Sequence, residues 1–96
     1  MLFRSVTQLA RHDRSLGDQL RRAASSIVLN IAEASASDPG NSRARLRTAA
    51  GSTAESRAAL QLAMAWGYLK PEAMAEAERQ LDRVAAMLYR LTARRR

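Results

Sequence analysis

Between Gln19 and Glu33 the chain reads QLRRAASSIVLNIAE, and no other run limits the possible folds as strongly. Leu20, Ala24, Ile27 and Ile31 recur at helical spacing and make one apolar stripe. Val28 and Leu29 carry apolar surface outside that stripe, while Asn30 and Glu33 set polar groups among it. Ile27, Val28, Leu29 and Ile31 together span more than half of the helix circumference, and a helix apolar on two sides is buried on two sides. A bundle interior covers one side. The other requires the first helix or a neighbouring subunit, so these residues predict an oligomer with Val28 and Leu29 at its interface. They do not set the number of subunits.

Four helical segments and three connections account for nearly all of the chain. The first helix is read from Leu2 to Arg11, with Leu2, Val6 and Leu9 on one side. The second runs from Leu16 to Ser35, with Ser15 and Asp18 in the relation of a capping box. SASDPGN follows and has turn chemistry throughout. The third helix starts at Asn41 or Ser42 and reaches Trp66, with a stripe of Leu46, Ala49, Ala50, Thr53, Leu60 and either Ala63 or Met64. Gly67 suits a left-handed residue just past its end. Pro71 suits the first turn of the fourth helix, and Glu72 and Glu76 complement that helix's positive end. There Met74, Ala77, Leu81, Val84, Leu88 and Leu91 alternate steps of three and four, a coiled-coil-like seam. Short connections make successive helices antiparallel neighbours. The fold class is therefore all-α: a single domain over residues 1–96, an up-and-down antiparallel four-helix bundle with a short first helix. Helices two to four should each be roughly 30 Å long. The first is less than half that, so one wall of the bundle is incomplete.

Composition narrows the class. A hydrophobic fraction of 47% suits a packed core, but only 4% is aromatic and alanine is very common, so each buried residue removes little area from water. An isolated monomer should be marginal. There is no cysteine, hence no disulfide and no thiolate metal site. No segment has the length and apolarity of a membrane span, and no signal peptide is recognisable, so the expected location is the cytoplasm with no membrane partner. The formal net charge is +7, and every basic residue except Lys70 is arginine. Such a balance points to nucleic acid, an anionic membrane surface or an acidic partner. A GC-rich genome also exchanges lysine for arginine, but it accounts less well for the excess over Asp and Glu.

Gln19, Arg21, Arg22, Ala23, Ser26, Ile27, Asn30, Ile31, Ala32 and Glu33 follow a pattern that continues with Gly51, Ser52 and Glu55, then Gly67, Tyr68 and Leu69. In this pattern, from Asp13 to Leu91, the chain resembles the bacterial four-helix-bundle proteins grouped with the 23S rRNA intervening-sequence proteins. That group includes the accessory variability determinant of diversity-generating retroelements. Two features depart from the pattern: the first helix is short where the family's is long, and Ala34 stands in place of a glycine. The resemblance implies a ring of five subunits. It also implies association with ribosomal RNA insertions, or a role as accessory to a reverse transcriptase whose RNA or DNA template the ring holds.

Catalytic and metal chemistry find little support. Asn30 with Glu33, and Ser52 with Glu55, stand at matching three-residue spacings on adjacent helices, but a di-metal carboxylate site also needs Glu-x-x-His motifs, and the single histidine, His12, lies elsewhere. These four residues are read as a buried polar network that fixes helix register. His12 beside Asp13 has no nucleophile and is read as a helix-end residue. No phosphate-binding glycine loop is present. Trp66 and Tyr68 are read as anchors of the turn between helices three and four. The chain is therefore expected to be no enzyme and to need no metal or cofactor.

The arginines remain. In an up-and-down bundle Arg4, Arg43, Arg45, Arg47, Arg90, Arg94, Arg95 and Arg96 collect at one pole, opposed there only by Glu33 and Asp38. Arg21 and Arg22 lie toward the other. Three arginines near the start of the third helix oppose the helix dipole, so helix stability does not explain them. The expected function is binding of RNA or DNA, independent of sequence, through Arg43, Arg45, Arg47, Arg90, Arg94, Arg95 and Arg96, with Arg21 and Arg22 as a second cluster. The alternative is a protein-interaction scaffold without nucleic-acid binding.

Overall fold

The computed structural model describes residues 3–94. They form α1 (Phe3–His12), α2 (Arg14–Ala36), α3 (Pro39–Ala65) and α4 (Pro71–Arg94) in an antiparallel bundle with overall extents of 42 × 21 × 16 Å. There is no strand among the described residues, and the fold is the expected all-α four-helix bundle. None of the helices is long and apolar enough to cross a membrane. Leu2, Arg95 and Arg96 lie outside the described residues.

The start of α2 differs from the capping box expected at Ser15. Asp13 is the cap: its backbone is extended, and its Oδ1 accepts from the Leu16 amide at 3.0 Å. Asp13 also donates its own amide to the Leu9 carbonyl. It is thus the single residue that closes one helix and opens the next, leaving no turn in which Ser15 could serve. α3 likewise begins two residues before the expected Asn41. Asp38 caps it, accepting from the Asn41 amide at 3.0 Å and the Asn41 side-chain amide at 2.7 Å, and Pro39 occupies the first helical position. The proline marks an entry because its missing N–H would have no intrahelical partner there. At the far end Gly67 adopts a φ of 78°, the left-handed residue expected. The amides of Gly67 and Tyr68 donate to the carbonyls of Met64 and Ala63, closing the last turn of α3.

Leu9, Leu20, Ile27, Leu46, Leu60 and Leu81 are the largest fully buried apolar residues. The α4 seam holds as read, with Ala77, Leu81, Val84 and Leu88 buried and Met74 and Leu91 half-buried. On α2, Leu20 and Ile27 are buried and Ala24 and Ile31 half-buried. On α3 the stripe needs correction: Ala63, not Met64, is inside, and Ala50 is exposed. The rest of α3's buried face consists of Ser42, Ser52, Ser56 and Ala59, which hydropathy does not mark. Ser56 Oγ and Thr53 Oγ1 donate to the carbonyls four residues back, at 2.9 and 2.8 Å, so these hydroxyls enter the core already bonded.

α1 packs on α2 at very close range. A Cβ on Gly17 would stand 2.9 Å from both Cα and N of Ala10. With 10 residues against 23, α1 covers about 15 Å of a helix about 35 Å long. It rises from the α1–α2 turn only to the middle of the bundle. Arg4 is therefore not at the pole expected of it. It lines a mid-bundle groove between α1 and α4, with Gln8 and Arg11 on its own wall and Glu72, Glu76 and Gln80 on the other.

Candidate nucleic-acid interface and the outer polar groove

Two hairpins place the chemistry. In the α2–α3 hairpin, Ser52 Oγ donates to Ser26 Oγ at 2.8 Å, and Arg45 Nη2 pairs with Glu33 Oε2 at 3.0 Å. Seven residues forward along α2, from 26 to 33, match seven back along α3, from 52 to 45, which is the register of an antiparallel pair. Gln19, Arg22, Ser26, Asn30 and Glu33 repeat every three or four residues and so share one face of α2. Gly17, where α1 docks, is nine residues from Ser26 and faces the opposite way. The first part of that face, Gln19, Arg22 and Ser26, forms one wall of an outer groove, whose other wall is Thr48, Ser52, Glu55, Ala58 and Leu62 of α3.

The four residues read as a buried network do not all meet. Asn30 Nδ2 donates to the Ser26 carbonyl at 2.9 Å and to Ser26 Oγ at 3.1 Å, and Ser26 Oγ accepts from Ser52. Ser26 thus joins Asn30 to Ser52. Glu33 is exposed and paired with Arg45, and Glu55 is exposed with no ion pair or hydrogen bond among the described residues. Arg22 stands on the other wall at nearly the level of Glu55, also without an ion pair. The connector Ser26 was legible only as part of a motif: a serine's role as acceptor depends on which helix faces it. Among the described residues no group of three or more His, Asp or Glu side chains is placed to hold a metal ion.

In the α3–α4 hairpin the start of α3 and the end of α4 share one end of the bundle. Arg43, Arg47, Arg90 and Arg94 lie there and make no ion pair among the described residues. Arg45 is different. It points toward α2 and its charge is met by Glu33. The other carboxylate at this end, Asp38, is engaged in capping. Donation from the Asn41 amide, then from the Asn41 side chain, holds its pKa below the ordinary value. Arg21, at the second cluster, lies 3.8 Å from Asp18, while Arg22 faces the groove.

Two features of this hairpin escaped the sequence reading. Arg57 bridges the helices, with Nη1 3.0 Å from Glu78 Oε2 and Nη2 2.9 Å from Asp82 Oδ1. The signal was available in Glu78 and Asp82, one helical turn apart on α4. Tyr89 is 75% exposed, and it follows Asp82 by two turns on the α3-facing side of α4, toward the basic end. Val28 and Leu29, expected at a subunit interface, are 58% and 62% exposed in the single chain. They stand about 100° apart on α2, so they flank its outer surface from two directions.

The chain is thus an antiparallel α-helical bundle with an outer groove between α2 and α3 and one arginine-rich end. The chain belongs to the 23S rRNA-intervening sequence protein family, whose model matches residues 2–90. No curated protein and no solved structure matches the chain.

Proposed function

We propose that this protein assembles into a closed homo-oligomer, a pentamer, and binds RNA or DNA through the arginines at the α3-start and α4-end of each subunit. The observation that carries this reading is the state of charge at that end. Arg43, Arg47, Arg90 and Arg94 have no acidic partner among the described residues, while Glu33 and Asp38 are already engaged. Unpaired arginines along a helix-bundle end are a phosphate-binding surface, and displacement of counterions supplies the affinity. Repetition around a ring raises avidity for a long polyanion. The family's name refers to sequences that intervene in 23S rRNA, which makes RNA the first ligand to test. A reverse-transcriptase template is the second context, and the bacterial cytoplasm is the compartment for either. Assembly is supported by exposed Val28 and Leu29 and by the half-length cover that α1 gives α2.

The test is binding of a structured RNA and a DNA duplex by anisotropy over a salt series. Affinity should fall steeply, with a log–log slope of about −0.9 per duplex phosphate neutralised. Arg43→Glu, Arg47→Glu and Arg90→Glu combined should lower both affinity and slope. Arg45→Glu alone should act mainly by placing a carboxylate against Glu33. Absence of binding at low salt, with capture of an acidic protein instead, would leave the scaffold reading in its place.

A further inference from the structure

The opposite end of the bundle carries a second arrangement, which the arginine cluster does not explain. The α1–α2 break and the α3–α4 turn meet there, since His12 and Tyr68 stack with ring centroids 5.2 Å apart and planes within 5°. The two aromatics of the turn have opposite fates. Tyr68 is half-buried against the core and is the anchor expected of it, its amide bonded to the Ala63 carbonyl at 2.8 Å. Trp66 is not an anchor. It is the C-cap of α3, its amide donates to the Leu62 carbonyl, and its side chain is 67% exposed. Backbone bonds, the left-handed Gly67 and the half-buried Tyr68 hold the backbone of this residue in place while leaving the indole in water.

The charge around this turn is basic. Arg11 and Arg14 flank His12 and Asp13, and Lys70 follows the turn; all three are exposed and make no ion pair among the described residues. The carboxylates at this end are Asp13, committed to the Leu16 amide, Asp18, 3.8 Å from Arg21, and Glu72 and Glu76 across the α1–α4 groove from Arg11, of which Glu76 is paired with Arg79. An exposed indole on a bonded backbone, at the same end as unpaired cations, matches the two requirements of single-strand recognition. These are a flat face for an unpaired base and positive charge for the flanking phosphates. A duplex keeps its bases stacked on one another and offers nothing to the indole.

We propose that this end binds single-stranded nucleic acid, with one unpaired base stacked on Trp66 and the adjoining phosphates met by Arg11, Arg14 and Lys70. The proposal rests on the nucleic-acid reading above and adds the strandedness of the ligand and a second contact site.

Trp66 is the chain's one tryptophan, so its emission reports on this site alone. The experiment titrates the full chain at low salt with a fifteen-nucleotide oligothymidylate and with a duplex of equal length. The emission should be quenched saturably by the single strand and little by the duplex. Trp66→Ala should weaken single-strand binding, followed by anisotropy, roughly tenfold, and Trp66→Phe should recover most of that loss. Duplex affinity should stay within about twofold in both. Single-strand binding without quenching, at an affinity that Trp66→Ala leaves unchanged, would overturn this site and leave the arginine end as the interface. A Trp66→Ala variant with reduced mass by native mass spectrometry would overturn it too, assigning the indole to a subunit contact. Failure of both ligands to bind would end the nucleic-acid reading and this proposal together.

Discussion

Asp13 and Asp38 show how much a single side chain decides in this bundle. Each follows a break and caps the next helix by accepting from an amide three residues on, at 3.0 Å in both cases. Asp13→Ala removes the acceptor for an otherwise unpaired amide and should cost about 1 kcal/mol, lowering the thermal midpoint by several degrees. Ser15→Ala should change it very little. Circular-dichroism melts of the two variants would distinguish the caps. Asp38 adds a pH dependence. Its folded pKa lies below the ordinary carboxylate value because the Asn41 amide and side chain donate to the charged form. That contribution to stability is fully present above the unfolded-state pKa and is lost as pH falls through the lowered folded value. Asp38→Asn retains an acceptor but cannot ionise. Its melting temperature should therefore fall less on acidification than that of the parent chain.

At the scale of the helix, two glycines make opposite predictions from the same substitution. Alanine in place of glycine inside a helix ordinarily stabilises by about 0.5–1 kcal/mol. Gly51 has nothing within 4 Å of an added Cβ, and Gly51→Ala should follow that rule in the single chain. Gly17→Ala should break it, because the new methyl would meet the backbone of Ala10 at 2.9 Å and no rotamer change relieves a backbone clash. An overpacked contact of this kind costs about 1–3 kcal/mol. The loss should appear first as faster amide exchange in α1, with α3 and α4 retaining protection. The periodicity of α4 was legible because its partners bury a continuous apolar seam. That of α3 was legible only in part: Leu46, Ala49, Thr53, Leu60 and Ala63 lie inside as read, but Ser42, Ser52 and Ser56 complete the inner face. Ser52, Thr53 and Ser56 enter the core with hydroxyls bonded within the helix or across to Ser26, a fact of geometry that hydropathy does not carry.

For the molecule as a whole, apolar surface stays exposed on two sides of α2: Val28, about 20° from Gly17, lies on the side where α1 docks, and Leu29 lies toward the outer groove. Val28 and Leu29 leave more than half of their surface in water, and Leu62 on α3 is 48% exposed at the rim of the outer groove. If neighbouring subunits cover these residues, Val28→Glu or Leu29→Glu should dissociate the assembly, because a carboxylate buried against an apolar partner must be desolvated. Native mass spectrometry at low micromolar concentration should show a pentamer for the parent chain and smaller species for the variants. A parent chain that stays monomeric would contradict the ring. Gly51→Ala serves as a second probe of the same question. If another helix approaches α3 at Gly51, the substitution would weaken assembly instead of stabilising the chain.

Helix number, order and approximate limits were determined by the sequence alone, since they depend on local signals: the α4 seam, the turn chemistry before α3, Pro71 at a helix entry and Gly67 at an exit. The family pattern was equally legible, because it is written in residue types at fixed spacing. Tertiary structure decided what those residues touch. It placed Gln19, Arg22 and Ser26 of the motif on an outer groove, separated Arg45 from Arg43 and Arg47 by pairing it with Glu33, and withdrew Arg4 from the pole to mid-bundle. It also packed Tyr68 half-buried against the core while exposing Trp66 two residues away. The physical reason is common to all four. Helix formation depends on neighbours along the chain, whereas exposure and charge pairing depend on the rotation of each helix about its axis and on its length relative to its neighbours. Those are set only when the helices pack.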